Sequence, residues 1–118
     1  MGAPVAFFEV ISPDGARARR FYGELFGWKI DEDAEFGDYG LVDTLAGDAA
    51  IRGGIGQASD AFSQGVKVYI CVEDLDSALV RAGELGGRSL VPPIDLPSGY
   101  GRIAVVADPD GNAVGLWK

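Results

Sequence analysis

Hydrophobic positions recur along this chain with two periods, and the switches between them mark the elements. Val5-Ala6-Phe7-Phe8-Glu9-Val10-Ile11 is a short apolar run rich in β-formers, and Ser12-Pro13-Asp14-Gly15 stops it with turn residues, which predicts a first strand. From Ala16 the spacing becomes helical. Ala18, Phe21, Tyr22, Leu25 and Phe26 share one side, Arg17, Arg19 and Arg20 fall largely on the other, and Gly27 stands where a helix ends. Such a helix covers a sheet with its apolar stripe. Residues 28–31, 39–46 and 50–55 then read as strands, with Gly47-Asp48 turning the last pair.

The same order returns further on. Residues 66–72 read as a strand and Glu73-Asp74 as a turn. A helix through Leu75, Ala78, Leu79, Ala82 and Leu85 follows, closing at Gly86-Gly87. Residues 88–91 form a short strand, and Pro92-Pro93 and Pro97-Ser98-Gly99-Tyr100-Gly101 bound an irregular loop. Residues 102–107 and 113–117 make a hairpin around Asp108-Pro109-Asp110-Gly111-Asn112.

The recurrence is an internal repeat at a spacing of 60 residues, which lays Gly23-Glu24-Leu25 over Gly83-Glu84-Leu85, Gly27 over Gly87 and Asp14 over Asp74. Each copy is a βαβββ module. The division is into modules 1–56 and 66–118 with a linker at 57–65, together forming one domain over residues 1–118. A unit of this size cannot bury a sheet face alone, so the expectation is an α+β fold in which the modules form a curved mixed sheet around a cleft.

Composition narrows the chemistry. The 118 residues are 47% hydrophobic and 24% charged, ordinary for a globular domain. A formal charge of −8 opposes attraction to nucleic acid or anionic membrane, leaving small molecules or proteins as partners. Cys71 is the single cysteine, so no internal disulfide forms, and no N-terminal apolar run is long enough to address or span a membrane; the expected location is cytoplasmic. The chain has no histidine, which removes the usual neutral-pH general base and the commonest ligand for zinc and iron.

Strand alternation sorts the remaining candidates. Val68, Ile70 and Val72 are uniformly aliphatic and are assigned to the helix side, which turns Lys67, Tyr69 and Cys71 to the cleft. By the repeat, Phe8 and Val10 face the helix while Phe7, Glu9 and Ile11 face the cleft. In the closing strands Gly115 and Trp117 turn inward, and the same offset assigns Gly53 and Ile55 inward as well. Glu9 is then a carboxylate among apolar groups, either an acid or base with a raised pKa or the structural partner of Lys67. Lys67 either binds an anionic ligand or extends its stem over apolar surface. Phe7, Tyr69 and Trp117 either stack on a flat ligand or fill the cleft, and Tyr100 in its glycine- and proline-bounded loop is either a lid or a surface turn residue. Cys71 is expected to be inert, with no histidine to deprotonate it. Gly53-Gly54-Ile55-Gly56 matches no phosphate-binding fingerprint, Asp108-Pro109-Asp110-Gly111-Asn112 is a hairpin turn rather than a calcium loop, and the arginines at 17, 19 and 20 are solvated helix positions, one of them pairing Glu24.

The two modules, the segment Arg17-Ala18-Arg19-Arg20-Phe21-Tyr22 with Phe26-Gly27-Trp28, and the ending Asp108-Pro109-Asp110-Gly111-Asn112 resemble the vicinal oxygen chelate superfamily, which includes glyoxalase I, bleomycin-resistance proteins and extradiol dioxygenases. The resemblance covers nearly the whole chain and implies a glyoxalase-like fold. Metal-using members place His, Gln or Glu ligands in the opening and closing strands of each module. Here the corresponding positions are Phe7, Ile55, Lys67 and Gly115, none of which is a divalent-metal ligand, so no metal and no cofactor are expected. The resemblance also implies a homodimer.

The leading expectation is a protein lacking the usual metal ligands that binds a small aromatic or amphipathic molecule, with Phe7, Lys67, Tyr69, Tyr100 and Trp117 as ligand-binding residues. One alternative is an enzyme of the lyase or dioxygenase type, metal-independent with Glu9 as acid or base or using an unrecognised metal site. The other is a noncatalytic dimerising scaffold.

Overall fold

A computed structural model describes residues 2–32, 37–59 and 64–118. The elements run β1 (Val5–Ser12), α1 (Gly15–Phe26), β2 (Lys29–Asp31), β3 (Tyr39–Asp43), β4 (Arg52–Gln57), β5 (Gly65–Cys71), α2 (Leu75–Glu84), β6 (Arg88–Asp95), β7 (Arg102–Ala107) and β8 (Ala113–Trp117). The chain is α+β. It divides into two compact units, Phe7–Val66 and Lys67–Lys118, the latter joined by the residues up to Ala6. Residues 60–63 of the expected linker, including Asp60 and Ser63, lie outside the described residues. No helix among those described is long and apolar enough to cross a membrane.

In the Phe7–Val66 unit the strand order is β2-β3-β4-β1, with β1 and β4 parallel and the other pairs antiparallel. The helix starts where Asp14 accepts the Arg17 N–H at 3.0 Å and stops at Gly27, whose φ of 70° suits a residue without Cβ. Its rotation departs from the sequence expectation. Phe21, Leu25 and Phe26 are 57%, 59% and 54% exposed, whereas Arg19, expected in solvent, is 7% exposed against the sheet. The guanidinium is satisfied there: Nε meets Glu32 Oε1 at 2.7 Å, not Glu24, and Nη1 donates to the carbonyls of Asp38 and Ile55, each at 3.3 Å. Space for the stem comes from Gly40, where a Cβ would stand 2.6 Å from Arg19 Cδ. Tyr22, Phe26 and Phe8 gather on Trp28, at ring separations of 6.0, 5.0 and 5.3 Å.

Two strand ends also differ from expectation. β3 stops at Asp43 because its Oδ1 accepts the Leu45 N–H at 2.9 Å, a local turn that puts Leu45 at φ 59°. β4 continues to Gln57, whose side chain accepts the Gly15 N–H at 2.9 Å and donates to the Pro13 carbonyl, tying the strand end to the helix start.

The Lys67–Lys118 unit has strand order β5-β8-β7-β6, with β5 and β8 parallel and β7 and β8 forming the expected hairpin. Leu75, Ala104, Val106 and Leu116 are its core, and Ile70, Val72, Ala78, Leu79, Ala82 and Val114 pack against it. This bears out the helix side for Ile70, Val72, Val114 and Leu116; Val68, assigned there too, is 36% exposed. Asp74 caps α2 by accepting the Ser77 N–H at 3.0 Å, and the Pro4 carbonyl accepts the Cys71 N–H at 2.9 Å. β6 runs through Pro92 and Pro93, where a loop was expected. It lies at the end of the strand order, and its pairing with β7 shifts register between Ser89 and Val91 and again between Val91 and Ile94. A strand with one unpaired side tolerates the missing N–H groups.

Two outcomes follow. Urea unfolding of Arg19→Ala should show a loss of about 2–4 kcal/mol, because two carbonyls lose their donor, whereas Glu32→Ala, at a carboxylate 60% exposed, should lose under about 1 kcal/mol; equal losses would contradict this account. The second concerns acid. Backbone hydrogen bonding from Ser77 holds the Asp74 carboxyl below 3.8, and hydrogen bonds from Asn112 do the same for Asp108. A carboxyl depressed in the folded state contributes stability above its unfolded value and loses it as pH falls through the folded one. The Asp74→Asn/Asp108→Asn variant should therefore show its stability deficit above about pH 4 and converge on the parent below it, in unfolding midpoints across pH.

Candidate functional site

The side chains on the sheet faces turned away from the helices are set by register. In the Phe7–Val66 unit Glu9 pairs with Gly54, Ile11 with Gly56, Leu41 with Gly54 and Tyr39 with Gly56, so these residues and Phe7 share the helix-free face. The Tyr39 ring lies down on β4, where a Cβ at Gly56 would stand 2.5 Å from Tyr39 Cδ2 and one at Gly54 would enter the ring. From there the Tyr39 hydroxyl donates to Glu9 Oε2 at 2.7 Å. This is an ordinary O–H···O hydrogen-bond length. Both residues are partly buried.

The Lys67–Lys118 unit repeats the device with other residues. Tyr69 pairs with Gly115 and Cys71 with Trp117, and a Cβ at Gly115 would stand 2.6 Å from Tyr69 Cγ. The tyrosine, 5% exposed, carries the Lys67 ammonium 5.8 Å from its ring centroid, within cation–π range. Trp117 donates its indole N–H to the Tyr100 carbonyl at 2.7 Å. The Tyr100 loop is closed further by Leu96 N–H to Gly101 and Tyr100 N–H to Pro97, at 2.8 and 3.2 Å, and Ser98 sits at φ 55° within it. The Tyr100 backbone is thus pinned, while its side chain is 44% exposed.

Within each unit, then, the helix-free face holds the residues selected from sequence: Phe7 and Glu9 in one, and Lys67, Tyr69 and Trp117 in the other. One assignment is corrected. Gly53 and Ile55, expected on this face, turn to the helix, where Gly53 lies beneath the Phe8 ring and Ile55 is fully buried. The 60-residue offset holds through the opening strands but becomes 61 at the closing ones, since Glu9 pairs with Gly54 where Tyr69 pairs with Gly115. One residue of slip exchanges the faces of a strand. Tyr39 was missed for a related reason: its partner Glu9 is 30 residues away and meets it only through β4. The glycines at 54 and 56 were the available signal.

After the correction the closing strands offer Gly54, Gly56, Gly115 and Trp117 to these faces, and the opening strands offer Phe7, Glu9, Ile11, Lys67, Tyr69 and Cys71. Among the described residues no group of three or more His, Cys, Asp or Glu is placed to hold an ion. Asp108 is equally committed: its Oδ1 accepts the N–H groups of Asp110 and Asn112 and its Oδ2 the Asn112 amide, which is a turn and not an ion loop.

Residues 7–116 match the family model described as a Glyoxalase-like domain, and the chain belongs to that family, within the vicinal oxygen chelate superfamily. It is 32% identical over 111 residues to CFP32 of Mycobacterium tuberculosis, named as a candidate glyoxylase, covering 89% of this chain and 41% of that protein. It is 31% identical over 132 residues to the anthracycline biosynthesis protein DnrV of Streptomyces peucetius, covering 99% of this chain and 47% of that one. The chain therefore spans less than half the length of these relatives. A glyoxalase/bleomycin resistance protein/dioxygenase superfamily member from Vibrio splendidus shares the fold with a TM-score of 0.67 at 14% identity, covering 98% of this chain and 97% of that one.

The ring-on-glycine arrangement has a direct check. Gly115→Ala should cost about 1–3 kcal/mol by driving a methyl into Tyr69, and adding Tyr69→Ala should recover at least about 0.5 kcal/mol relative to the sum of the single changes. Strict additivity in chemical unfolding would mean that the ring does not rest there.

Proposed function

As the activity of this member of the glyoxalase-like domain family, we propose the binding of a small aromatic or amphipathic molecule without the family's metal. The observation that carries it is the chemistry of the helix-free faces, where aromatic rings and glycines stand beside charged groups that include Glu9 and Lys67. Such a surface offers contact area and a few orienting charges, the usual composition of a ligand site. On the Phe7–Val66 unit Phe7 supplies area and Glu9 orients polar groups; on the Lys67–Lys118 unit Tyr69 and Trp117 supply area, Lys67 orients polar groups, and Tyr100 borders the ligand from a loop fixed by Trp117. The chain acts as a homodimer of its 12.4 kDa protomer.

A second reading draws support from the Glu9–Tyr39 hydrogen bond. A carboxylate and a phenol 2.7 Å apart can accept and deliver a proton, so a metal-independent lyase-type activity with Glu9 as acid or base is consistent with the same residues. No step in it passes through an ion.

Protein purified without chelator should contain no stoichiometric divalent ion by elemental analysis, and finding one would overturn the metal-free reading. In a Trp28→Phe background, planar aromatic probes should quench Trp117 emission saturably. Sedimentation should give twice the protomer mass; a monomer at micromolar concentration would remove the dimer from the proposal.

A further inference from the structure

The outer face of α1 carries its charges in the order that its own helix disfavours. Peptide dipoles leave a helix positive at its N-terminus and negative at its C-terminus. Yet Arg17 lies in the first turn, Arg20 in the second and Glu24 in the last, with no acidic residue in the first turn and no basic one in the last. Arg20 and Glu24 are both exposed and four apart, the spacing of an intrahelical pair, but neither forms an ion pair among the described residues. Arg17 meets Asp14 only at 3.9 Å, with its own side chain 69% exposed. Among these charges stand Phe21 and Leu25, 57% and 59% exposed, which continue one row with Arg17 at steps of four residues.

The duplicated helix shows that the fold does not demand such a face. At the 60-residue offset α2 has Arg81 in place of Phe21 and Ser77 in place of Arg17. It places Asp76 in its first turn and Arg81 in its last, as the dipole favours, and pairs Arg81 with Glu84 at 3.4 Å. Its exposed Val80 and Leu85 are five apart and share no row.

We propose that the outer face of α1 is the contact through which two copies of this chain pair, helix against helix and antiparallel about a twofold axis. The inference rests on the homodimer proposed above and gives it a surface. A twofold contact must be self-complementary, because the same patch is used on both sides. Antiparallel packing meets that condition. Phe21 and Leu25 of the two copies cover one another, Arg17 and Arg20 lie toward Glu24 of the second copy, and each helix N-terminus meets the opposite end of its neighbour. Parallel packing would set arginine on arginine and like helix ends together. The complement of this face is thus present in the chain itself, which makes a second copy its occupant and not an unlike protein.

Sedimentation of the full chain across a range of concentrations tests the contact, with far-UV circular dichroism as the check on folding. Phe21→Asp and Leu25→Asp, both at exposed positions, should each raise the dimer dissociation constant at least about a hundredfold, because the change enters the contact twice. Arg20→Glu and Glu24→Arg should each weaken self-association about tenfold by setting like charges together in two places. Mixed in equal amounts, these two variants should pair to within about threefold of the parental affinity, since at positions 20 and 24 every charge of one copy then faces its opposite on the other. A misfolded protein cannot show that recovery, so the mixture decides the question even if the Asp variants do not fold. A parent dimer unchanged by Phe21→Asp and Leu25→Asp, or a mixture that associates no better than its components, overturns the inference and leaves the dimer standing. Assembly beyond the dimer also overturns it, because a closed twofold contact uses the face up. A monomeric parent overturns the dimer and the inference together.

Discussion

The Phe7–Val66 unit is organised around a buried guanidinium. Arg19 reaches from α1 toward the sheet, and its donors meet the carbonyls of Asp38 and Ile55 and one carboxylate. A planar fork with fixed donor directions accepts few geometries, and a guanidinium this poorly solvated is costly to bury without acceptors for its donors. The helix therefore rotates to serve Arg19, and Phe21 and Leu25 turn outward although they are more hydrophobic. The same contacts hold the carbonyls of Asp38 and Ile55. Asp38 precedes Tyr39 and Ile55 lies between Gly54 and Gly56, so the anchor beneath one face of the sheet fixes the residues displayed on the other.

Both units solve a second problem alike. A tyrosine is laid flat against strand backbone wherever glycine removes the Cβ in its way, and a charged group is set against it. The charges are opposite. In one unit the ring's hydroxyl addresses a carboxylate from a third strand, and in the other the ring face carries an ammonium from its own strand. Duplication preserved the scaffold while the side chains on it diverged, which is how one fold hosts many activities. Membership of the glyoxalase-like family therefore defines the framework, and the donor set of this chain decides what the framework can hold.

Much was legible because it depends on local order. Asp14, Gly27 and Asp74 terminate helices by their own hydrogen bonding or φ, and the aliphatic alternation of Ile70 and Val72 marks the buried side of β5. The candidates Phe7, Glu9, Lys67, Tyr69 and Trp117 followed from the same alternation. The illegible parts were those decided by distant groups. Arg19 looked like a solvated residue because its partners Glu32, Asp38 and Ile55 are remote in the chain, and β6 looked broken at Pro92 and Pro93 because nothing in the sequence says that one side of a strand lacks a neighbour.

What the chain determined by itself was the order of its elements, their ends and the side of each opening strand that meets a helix, since periodicity and capping act within a few residues. The tertiary structure decided the rotation of α1, the faces of β4 and the meeting of Tyr39 with Glu9. Each of those depends on strand register and on a donor finding an acceptor from another element. A single residue of slip between the modules, invisible in a 60-residue repeat, was enough to exchange Ile55 for its glycine neighbours on the helix-free face.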